Sequence, residues 1–282
     1  MNINGTLAKI LVILFLCIVI FGSAGYFSYK LFVAPQKILK KEMAGPPPTP
    51  PPDPSIAGFE KCMKIKDSGT LMEAHDALAD FVEHNPDSTK LVEAKDALGE
   101  INMKLFYSDQ PSPDKQQYVI QKGDTIGAIE RKTKMPGEMI MHLNKINDPT
   151  KLRIGEVLNV SRPEFALQVH RKTKMVDLTN KGKFFKQYKV ISWNAPAAKN
   201  ANPVSAKVSE KVAWKNGLRV VFGSKEYAGS GRWISLSVSG FTLYTEGSGA
   251  DTPKPPGGLG MEAGDMDELS SLINRNSPAT ID

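Results

Sequence analysis

The chain has 282 residues, of which 41% are hydrophobic and 23% are charged. A chain of this length and composition can bury a core, and it holds one large domain or two to three small ones. The formal net charge is +6. No basic helix or aromatic-interleaved repeat accompanies this charge, so the composition argues against a nucleic-acid-binding protein.

The charge is distributed unevenly along the chain. Residues 164–219 hold 12 basic and 3 acidic side chains, whereas residues 245–282 hold 7 acidic and 2 basic ones. One interpretation is a cationic face that attracts carboxylates or anionic polymers. The alternative is a solvated strand face without a partner, which is the commoner role of surface charge.

An apolar run near the start of the chain predicts a membrane anchor. Ile10 to Tyr29 contains no charge, and 20 helical residues at about 1.5 Å each span about 30 Å, the thickness of the hydrocarbon core. The alternative is a cleavable signal peptide, with Lys9 before the run and Gly22-Ser23-Ala24 near a cleavage point. Apolar residues continue to Val33, which favours a retained transmembrane helix over residues 8–33.

A proline-rich linker is predicted over residues 34–54. Its prolines favour an extended polyproline II stalk, and a spacer is the simpler role for it than a ligand of a recognition domain. The two cysteines, Cys17 and Cys62, lie inside and far outside the apolar run. They therefore cannot form an intramolecular disulfide.

Residues 55–107 carry a helical pattern. Apolar residues recur at spacings of three and four in two runs, which are Leu71, Ala74, Leu78, Phe81 and then Leu91, Ala94, Leu98, Ile101, Leu105. Asn85-Pro86 separates the runs, so the segment predicts an antiparallel helical hairpin that resembles a single tetratricopeptide-like unit. One unit is too small for a solenoid, which leaves two roles open: packing within the protein and docking of a protein partner.

Residues 108–116 contain two prolines and predict a second linker, and residues 117–161 then predict the order strand, helix, helix, strand. The first strand ends at the turn Lys122-Gly123-Asp124-Thr125, where Asp124 or Thr125 can cap a helix. A second helix fits Pro136 to Lys145, with Pro136 in its first turn. The segment Arg153 to Val160 turns and returns as the last strand.

These residues resemble a LysM domain. The resemblance rests on the Tyr118-Val119 entry, the Lys-Gly-Asp-Thr turn, Leu143-Asn144, and Ile154-Gly155-Glu156-Val157-Leu158. It implies binding of N-acetylglucosamine-containing glycan, as in peptidoglycan, in a shallow groove between two loops. Carried over by position, the groove residues are Gly123, Asp124, Thr125 and Ile126 on one side and Ile146, Asn147, Asp148 and Pro149 on the other. Each of them also has a simpler role in turn or cap formation.

The last segment, residues 163–282, predicts a mostly-β domain. Strands fit Phe165 to His170, Phe184 to Val190, Ser205 to Val212, Leu218 to Phe222 and Trp233 to Ser239. The order resembles a YkuD-type L,D-transpeptidase domain at several points: Gly182-Lys183-Phe184-Phe185, Asn202 to Val208, Arg232 to Leu236, and the tail from Asp265 to Ile281.

The resemblance implies acyl transfer by a cysteine thiolate, which a histidine activates and an oxyanion site supports. The family motif reads Ser-His-Gly-Cys, with arginine two positions later, and here the aligned segment is Pro255 to Met261. Pro256 takes the histidine position, Gly258 the cysteine position, Gly260 the arginine position, and Tyr244 the place of an upstream histidine. The side chains that would perform the chemistry are absent, so the domain is predicted to be catalytically inactive.

No catalytic substitute or metal site is visible in the sequence. The four histidines are His75, His84, His142 and His170, and all lie outside the motif. Each is more simply a surface or packing residue than a general base. We therefore expect no metal and no cofactor.

The predicted fold is multidomain, with an N-terminal transmembrane helix, a small α-helical hairpin, an α+β LysM module and a mostly-β L,D-transpeptidase-like domain. Two functions fit this organisation. The first is a membrane-anchored, peptidoglycan-binding protein with a degenerate L,D-transpeptidase-like domain, and the second is an enzyme that acts on peptidoglycan stem peptides by an altered mechanism. The glycine at position 258, where the family has its cysteine, favours the first function.

The predicted location is the cytoplasmic membrane of a bacterium, crossed once, with the C-terminal bulk in the periplasm or cell wall. One observation opposes this orientation. Lys30, Lys37, Lys40 and Lys41 follow the apolar run, and only Lys9 precedes it, so the positive-inside rule favours a cytoplasmic C-terminal bulk. The wall-binding modules downstream favour the opposite orientation.

Overall fold

The computed structural model describes residues 3–33, 53–108, 114–197, 203–247 and 253–282. The chain divides into two compact units, residues 1–52 and 53–282. The first unit contains helix α1 (Ile3–Ser28) and a short π-helical segment (Tyr29–Val33). Lys9–Val33 is long and apolar enough to cross a membrane, a criterion that a signal sequence also meets. The predicted proline-rich linker lies outside the described residues as far as residue 52.

The second unit begins with three helices, α2 (Ile56–Ser68), α3 (Leu71–His84) and α4 (Leu91–Tyr107). The two apolar runs of the sequence form α3 and α4, and α2 extends the predicted hairpin to a three-helix unit. The sequence did not reveal α2 as a separate helix because it buries only Phe59 and Cys62. These two side chains pack with apolar residues of α3 and α4 in a core of their own.

A small two-stranded module follows the helical unit. Its elements are β1 (Lys115–Val119), α5 (Ile126–Thr133), α6 (Gly137–Leu143) and β2 (Val157–Ser161). The strands pair antiparallel, with Tyr118 opposite Leu158. The order strand, helix, helix, strand is the predicted one. The first strand begins at Lys115, inside the segment that was predicted as a linker.

The rest of the unit is a large mixed sheet with one helix. Its described strands are β3 (Phe165–His170), β4 (Met175–Asn180), β5 (Lys183–Lys189), β6 (Ser192–Asn194), β7 (Val204–Lys215), β8 (Leu218–Val220), β9 (Gly231–Leu236), β10 (Thr242–Thr245), β11 (Gly258–Met261) and β12 (Pro278–Ile281). Helix α7 (Ala263–Leu272) lies between β11 and β12. The strand order is β5-β4-β3-β12-β7-β9-β10-β11-β6, and β8 pairs with β7.

Two pairs of strands in this sheet are parallel, β3 with β12 and β10 with β11. The remaining pairs are antiparallel. Met266 and Leu269 of α7 are fully buried in a core that the sheet shares with the two-stranded module. The module and the sheet therefore pack against each other through this shared core.

The helical unit packs on β4 and β5 through polar contacts at its centre. The side-chain amide of Asn102, which is buried in α4, donates to the carbonyl oxygen of Phe185 at 2.8 Å. Gln187 donates to the carbonyl oxygen of Val92 at 2.7 Å. These contacts fix one face of α4 on the sheet, which supports the packing role for the helical unit.

Candidate functional site

The first loop of the predicted glycan groove joins β1 to α5. Gly123 has φ +86°, a left-handed conformation that favours glycine, and open space surrounds the position of a Cβ atom there. Thr125 caps α5, because its hydroxyl accepts from the backbone N–H of Ala128 at 3.2 Å. The Ile126 side chain is buried in the module core. The backbone of Gly123 is therefore the part of this loop that faces open space.

The carboxylate of Asp124 is fully engaged within the module. It accepts from the Tyr118 hydroxyl at 2.7 Å, from the backbone N–H of Gln121 at 2.8 Å, and from Lys132 at 2.7 Å. The Lys132 ammonium, with the other two donors, lowers the pKa of Asp124 to about 2. Asp124 therefore shapes the first loop, and its carboxylate has little capacity left for a ligand.

The second loop of the predicted groove follows α6. Ile146 is half-buried against the module core, whereas Asn147 is exposed. Asp148 closes a local turn by accepting from the Thr150 hydroxyl at 2.6 Å, and this bond contributes most to lowering the pKa of Asp148 to about 2. Pro149 is half-buried. The exposed polar group in this loop is the side-chain amide of Asn147, which can both donate and accept.

Three of the residues aligned with the transpeptidase motif lie in the neighbouring strands β10 and β11, and Pro256 lies in the bend before β11. Tyr244 of β10 lies beside Gly260 of β11, and Ser192 of β6 lies beside Gly260 on the other side. Trp233 of β9 continues this row across the sheet. The structure therefore brings two of the predicted positions together and adds Ser192, which the sequence did not single out.

A polar cluster occupies the space beside Gly260. The Ser192 hydroxyl donates to the Glu246 carboxylate at 2.5 Å, and the Tyr244 hydroxyl donates to the same carboxylate at 2.7 Å. Lys254 donates to the second oxygen of Glu246 at 2.5 Å. The Lys254 ammonium, followed by the two hydroxyls, lowers the pKa of Glu246 to about 2. The carboxylate is thus held in its charged form. Burial raises the pKa of Tyr244, so its hydroxyl keeps its proton.

Gly258 is enclosed by backbone. A Cβ atom at this position would lie closer than 3.0 Å to the carbonyl oxygen of Thr242 and at 3.3 Å from the Tyr244 ring. The Thr242 oxygen belongs to the main chain of β10 and cannot turn away as a side chain does. Pro256, which takes the histidine position, is exposed.

Gly260 is enclosed in a different way. A Cβ atom there would overlap the Ser192 hydroxyl and the Glu246 carboxylate, which are the ends of side chains. These ends can move, but only if the hydrogen bonds of the cluster break. Among the described residues, no group of three His, Cys, Asp or Glu side chains is arranged to hold a metal ion.

Comparison with known families assigns the two-stranded module. Residues 118–161 match the family model described as the LysM domain. This confirms the prediction made from the Lys-Gly-Asp-Thr turn and the flanking strands. A comparison with curated protein sequences finds no match.

Solved structures of L,D-transpeptidases are similar to part of the chain. An L,D-transpeptidase of Enterococcus faecium is 12% identical, with a TM-score of 0.28, and the match covers 42% of this chain and 50% of that one. An L,D-transpeptidase from Stackebrandtia nassauensis is 14% identical, with a TM-score of 0.30, and the match covers 56% of this chain and 75% of that one. Mycobacterium tuberculosis L,D-transpeptidase 1 is 10% identical, with a TM-score of 0.28, and the match covers 45% of this chain and 66% of that one. The chain thus spans half the length of the first structure. The chain carries a LysM domain and a mostly-β domain that resembles L,D-transpeptidases.

Proposed function

We propose that this protein is a membrane-anchored, peptidoglycan-binding protein of the bacterial envelope, whose L,D-transpeptidase-like domain serves binding or scaffolding rather than catalysis. The LysM domain is the observation that carries the proposal, because LysM domains bind N-acetylglucosamine-containing glycans. The apolar helix Lys9–Val33 supplies the proposed anchor. The C-terminal bulk is placed in the periplasm or cell wall, where this glycan is found.

The proposed glycan site is the groove between the two LysM loops. The Gly123 backbone and the Asn147 amide provide exposed polar groups on opposite sides, while the half-buried Ile146 and Pro149 provide apolar surface. Such a site orients an N-acetyl group by a few hydrogen bonds and covers its methyl group with apolar atoms. Affinity is expected to be modest because the groove is shallow.

The groove is tested by adding a side chain at its mouth. Gly123→Asn is expected to weaken binding to purified sacculi at least about tenfold, a loss of about 1.4 kcal/mol, because the amide projects into the open space that the sugar would occupy. The measurement is co-sedimentation of the full chain in detergent with sacculi. Asparagine tolerates positive φ better than most residues, so the fold should persist.

Gly155→Asn is the matched control for this substitution. Gly155 also has φ +86° and open space around a Cβ position, but it lies outside the predicted groove. The backbone strain is therefore the same, and only the location differs. Equal loss of binding in both variants, or loss in neither, would contradict the groove assignment.

The absence of catalysis is supported by the surroundings of Gly258 and Ser192. Glycine supplies no nucleophile, and the Thr242 carbonyl oxygen occupies the space that a cysteine Cβ would need. Ser192 is the aliphatic hydroxyl in the cluster that could replace the thiol, and the raised pKa of Tyr244 disfavours its phenolate. Its partner Glu246 has a pKa of about 2 and is paired with Lys254, so it is a poor base for removing the serine proton.

The second candidate function, an enzyme of altered mechanism, draws its support from the hydrogen bond between Ser192 and Glu246. A carbapenem separates the two functions, because it acylates an active-site nucleophile. We expect no covalent adduct by mass spectrometry and no cross-linked muropeptide after incubation with sacculi. An adduct that disappears in Ser192→Ala would establish the enzyme and refute the binding-only role.

A further inference from the structure

A loop of the β domain lies across the LysM domain next to the predicted groove. This loop, Val221 to Gly229, joins β8 to β9, and we call it the strap. Its Tyr227 hydroxyl donates to Glu138 of α6 at 2.5 Å, and the Arg232 guanidinium lies 3.8 Å from the centre of the Tyr227 ring. The strap is therefore anchored to the LysM domain at a half-buried point.

Phe222 of the strap contacts the start of α6. A Cβ atom at Gly137 would lie 3.0 Å from the Phe222 ring and 2.9 Å from the Ile126 side chain. Both groups therefore lie within 3.0 Å of the same point, and a glycine at residue 137 permits this close approach. The next strap residue, Gly223, has φ +88°, and its Cβ position would lie 3.3 Å from Pro149.

One of these contacts reaches the predicted groove. Pro149 belongs to the second loop, so Gly223 places the strap at the rim of the groove. Phe222, the preceding residue, lies against the start of α6, where the buried Ile126 side chain also packs. Phe222 is half-buried, and its ring packs edge-on against Tyr227 with the ring centres 5.3 Å apart. The part of the ring that is still exposed is therefore held in a fixed orientation.

Phe222 also lines a cavity between the LysM domain and the β domain. The cavity measures about 440 Å³, within the range of small-molecule sites. Glu130 and Gly137 line it from the LysM domain, and Arg219 and Arg275 line it from the β domain. Phe222 thus borders an open volume that both domains line, and the next residue, Gly223, lies beside Pro149 of the predicted groove.

We propose that Phe222 is part of the glycan-binding site and packs against the sugar that follows the one held between the LysM loops. This inference rests on the proposed function of the groove. The C–H face of a pyranose ring is apolar and flat, so it packs well on an aromatic ring, and an aromatic side chain with fixed orientation loses little entropy on binding. The ligand is then a β-1,4-linked N-acetylglucosamine oligosaccharide rather than a single sugar, and the β domain contributes directly to its affinity.

The test uses the full chain in detergent and titration with the N-acetylglucosamine pentasaccharide. Phe222→Leu is expected to weaken binding about five- to tenfold, because leucine keeps an apolar side chain beside Gly137 but offers no flat ring. Phe222→Trp is expected to retain binding. Thermal unfolding of each variant shows whether the strap still packs.

The outcomes separate this inference from the proposed function. If Gly123→Asn weakens binding and Phe222→Leu does not, the groove binds glycan and the role of Phe222 is refuted. If Phe222→Leu strengthens binding, the strap obstructs the groove and the inference is also refuted. If the wild-type chain does not bind the pentasaccharide or sacculi, the proposed function itself fails.

Discussion

Replacing Gly258 with alanine is expected to lower the free energy of unfolding by about 3 kcal/mol, at the upper end of the usual cost of overpacking. The added methyl group would overlap the carbonyl oxygen of Thr242, so β10 or β11 must shift. These parallel strands lie in the fully buried part of the sheet, where shifts spread to close-packed neighbours. Chemical unfolding of the full chain in detergent, followed by circular dichroism, measures the change.

Gly264→Ala provides the control for this substitution. Gly264 lies in the first turn of α7, only six residues along the chain, and nothing lies within 4 Å of a Cβ position there. Alanine is favoured over glycine in a helix, so this variant should be neutral or more stable by up to about 1 kcal/mol. Similar stability of the two variants would show that Gly258 is not enclosed.

The same overlap predicts that the chemistry cannot be regained by restoring the motif alone. A chain with Pro256→His, Gly258→Cys and Gly260→Arg would carry the side chains of the active family. However, the cysteine would meet the Thr242 oxygen, and the arginine would displace Ser192 and Glu246 from their hydrogen bonds. The proposed absence of catalysis thus has a basis in the backbone spacing of β10 and β11 as well as in the side chains.

The LysM domain could be predicted from the sequence because its signals are local. The glycine turn at Gly123 and the cap at Thr125 lie within a few residues of the elements they connect, and both occur where the sequence placed them. The helical unit was only partly predicted. Gly99 and the buried Asn102 are unusual on an apolar helix face, and both lie on the face of α4 that packs on β5.

The polar cluster could not be predicted, because its members are distant in the sequence. Ser192 and Glu246 are separated by 54 residues, and they meet only because β6 pairs with β11 and β11 with β10. A lone serine after a strand carries no periodic signal. The contact between Phe222 and the start of α6 could not be predicted for the same reason. The sequence pattern predicts a strand that ends at Phe222, and nothing local indicates that this residue reaches the LysM domain.

A buried ion pair joins the helical unit to the β domain. The Lys95 ammonium of α4 lies 2.6 Å from the Asp177 carboxylate of β4, and His170 lies 3.3 Å from the same oxygen. Burial would raise the pKa of Asp177, but the neighbouring His170 imidazole and Lys95 ammonium outweigh it and lower the pKa. The pair therefore holds a charged carboxylate in a largely buried site.

Lys95→Met is expected to destabilise the protein by about 3 kcal/mol, because it leaves the buried Asp177 charge with only His170 as a partner. Methionine keeps most of the apolar length of lysine, so the loss reports the charge rather than the packing. Urea unfolding of the full chain in detergent measures the effect. Faster proteolysis within residues 108–116 would show that the helical unit has separated from the sheet.

Lys90→Met is the matched control, since Lys90 immediately precedes the same helix. Its ammonium lies 2.6 Å from the carboxylate of Glu93, whose side chain is 56% exposed. An exposed pair contributes little, so this variant should change stability by less than about 0.5 kcal/mol.

Adding Asp177→Asn to Lys95→Met should restore part of the loss, because the unpaired charge is removed. If Lys95→Met behaves like Lys90→Met, the helical unit is not held by this pair. Its packing would then depend on the polar contacts of Asn102 and Gln187 and on the apolar packing of Phe106 against Phe165 and Phe185.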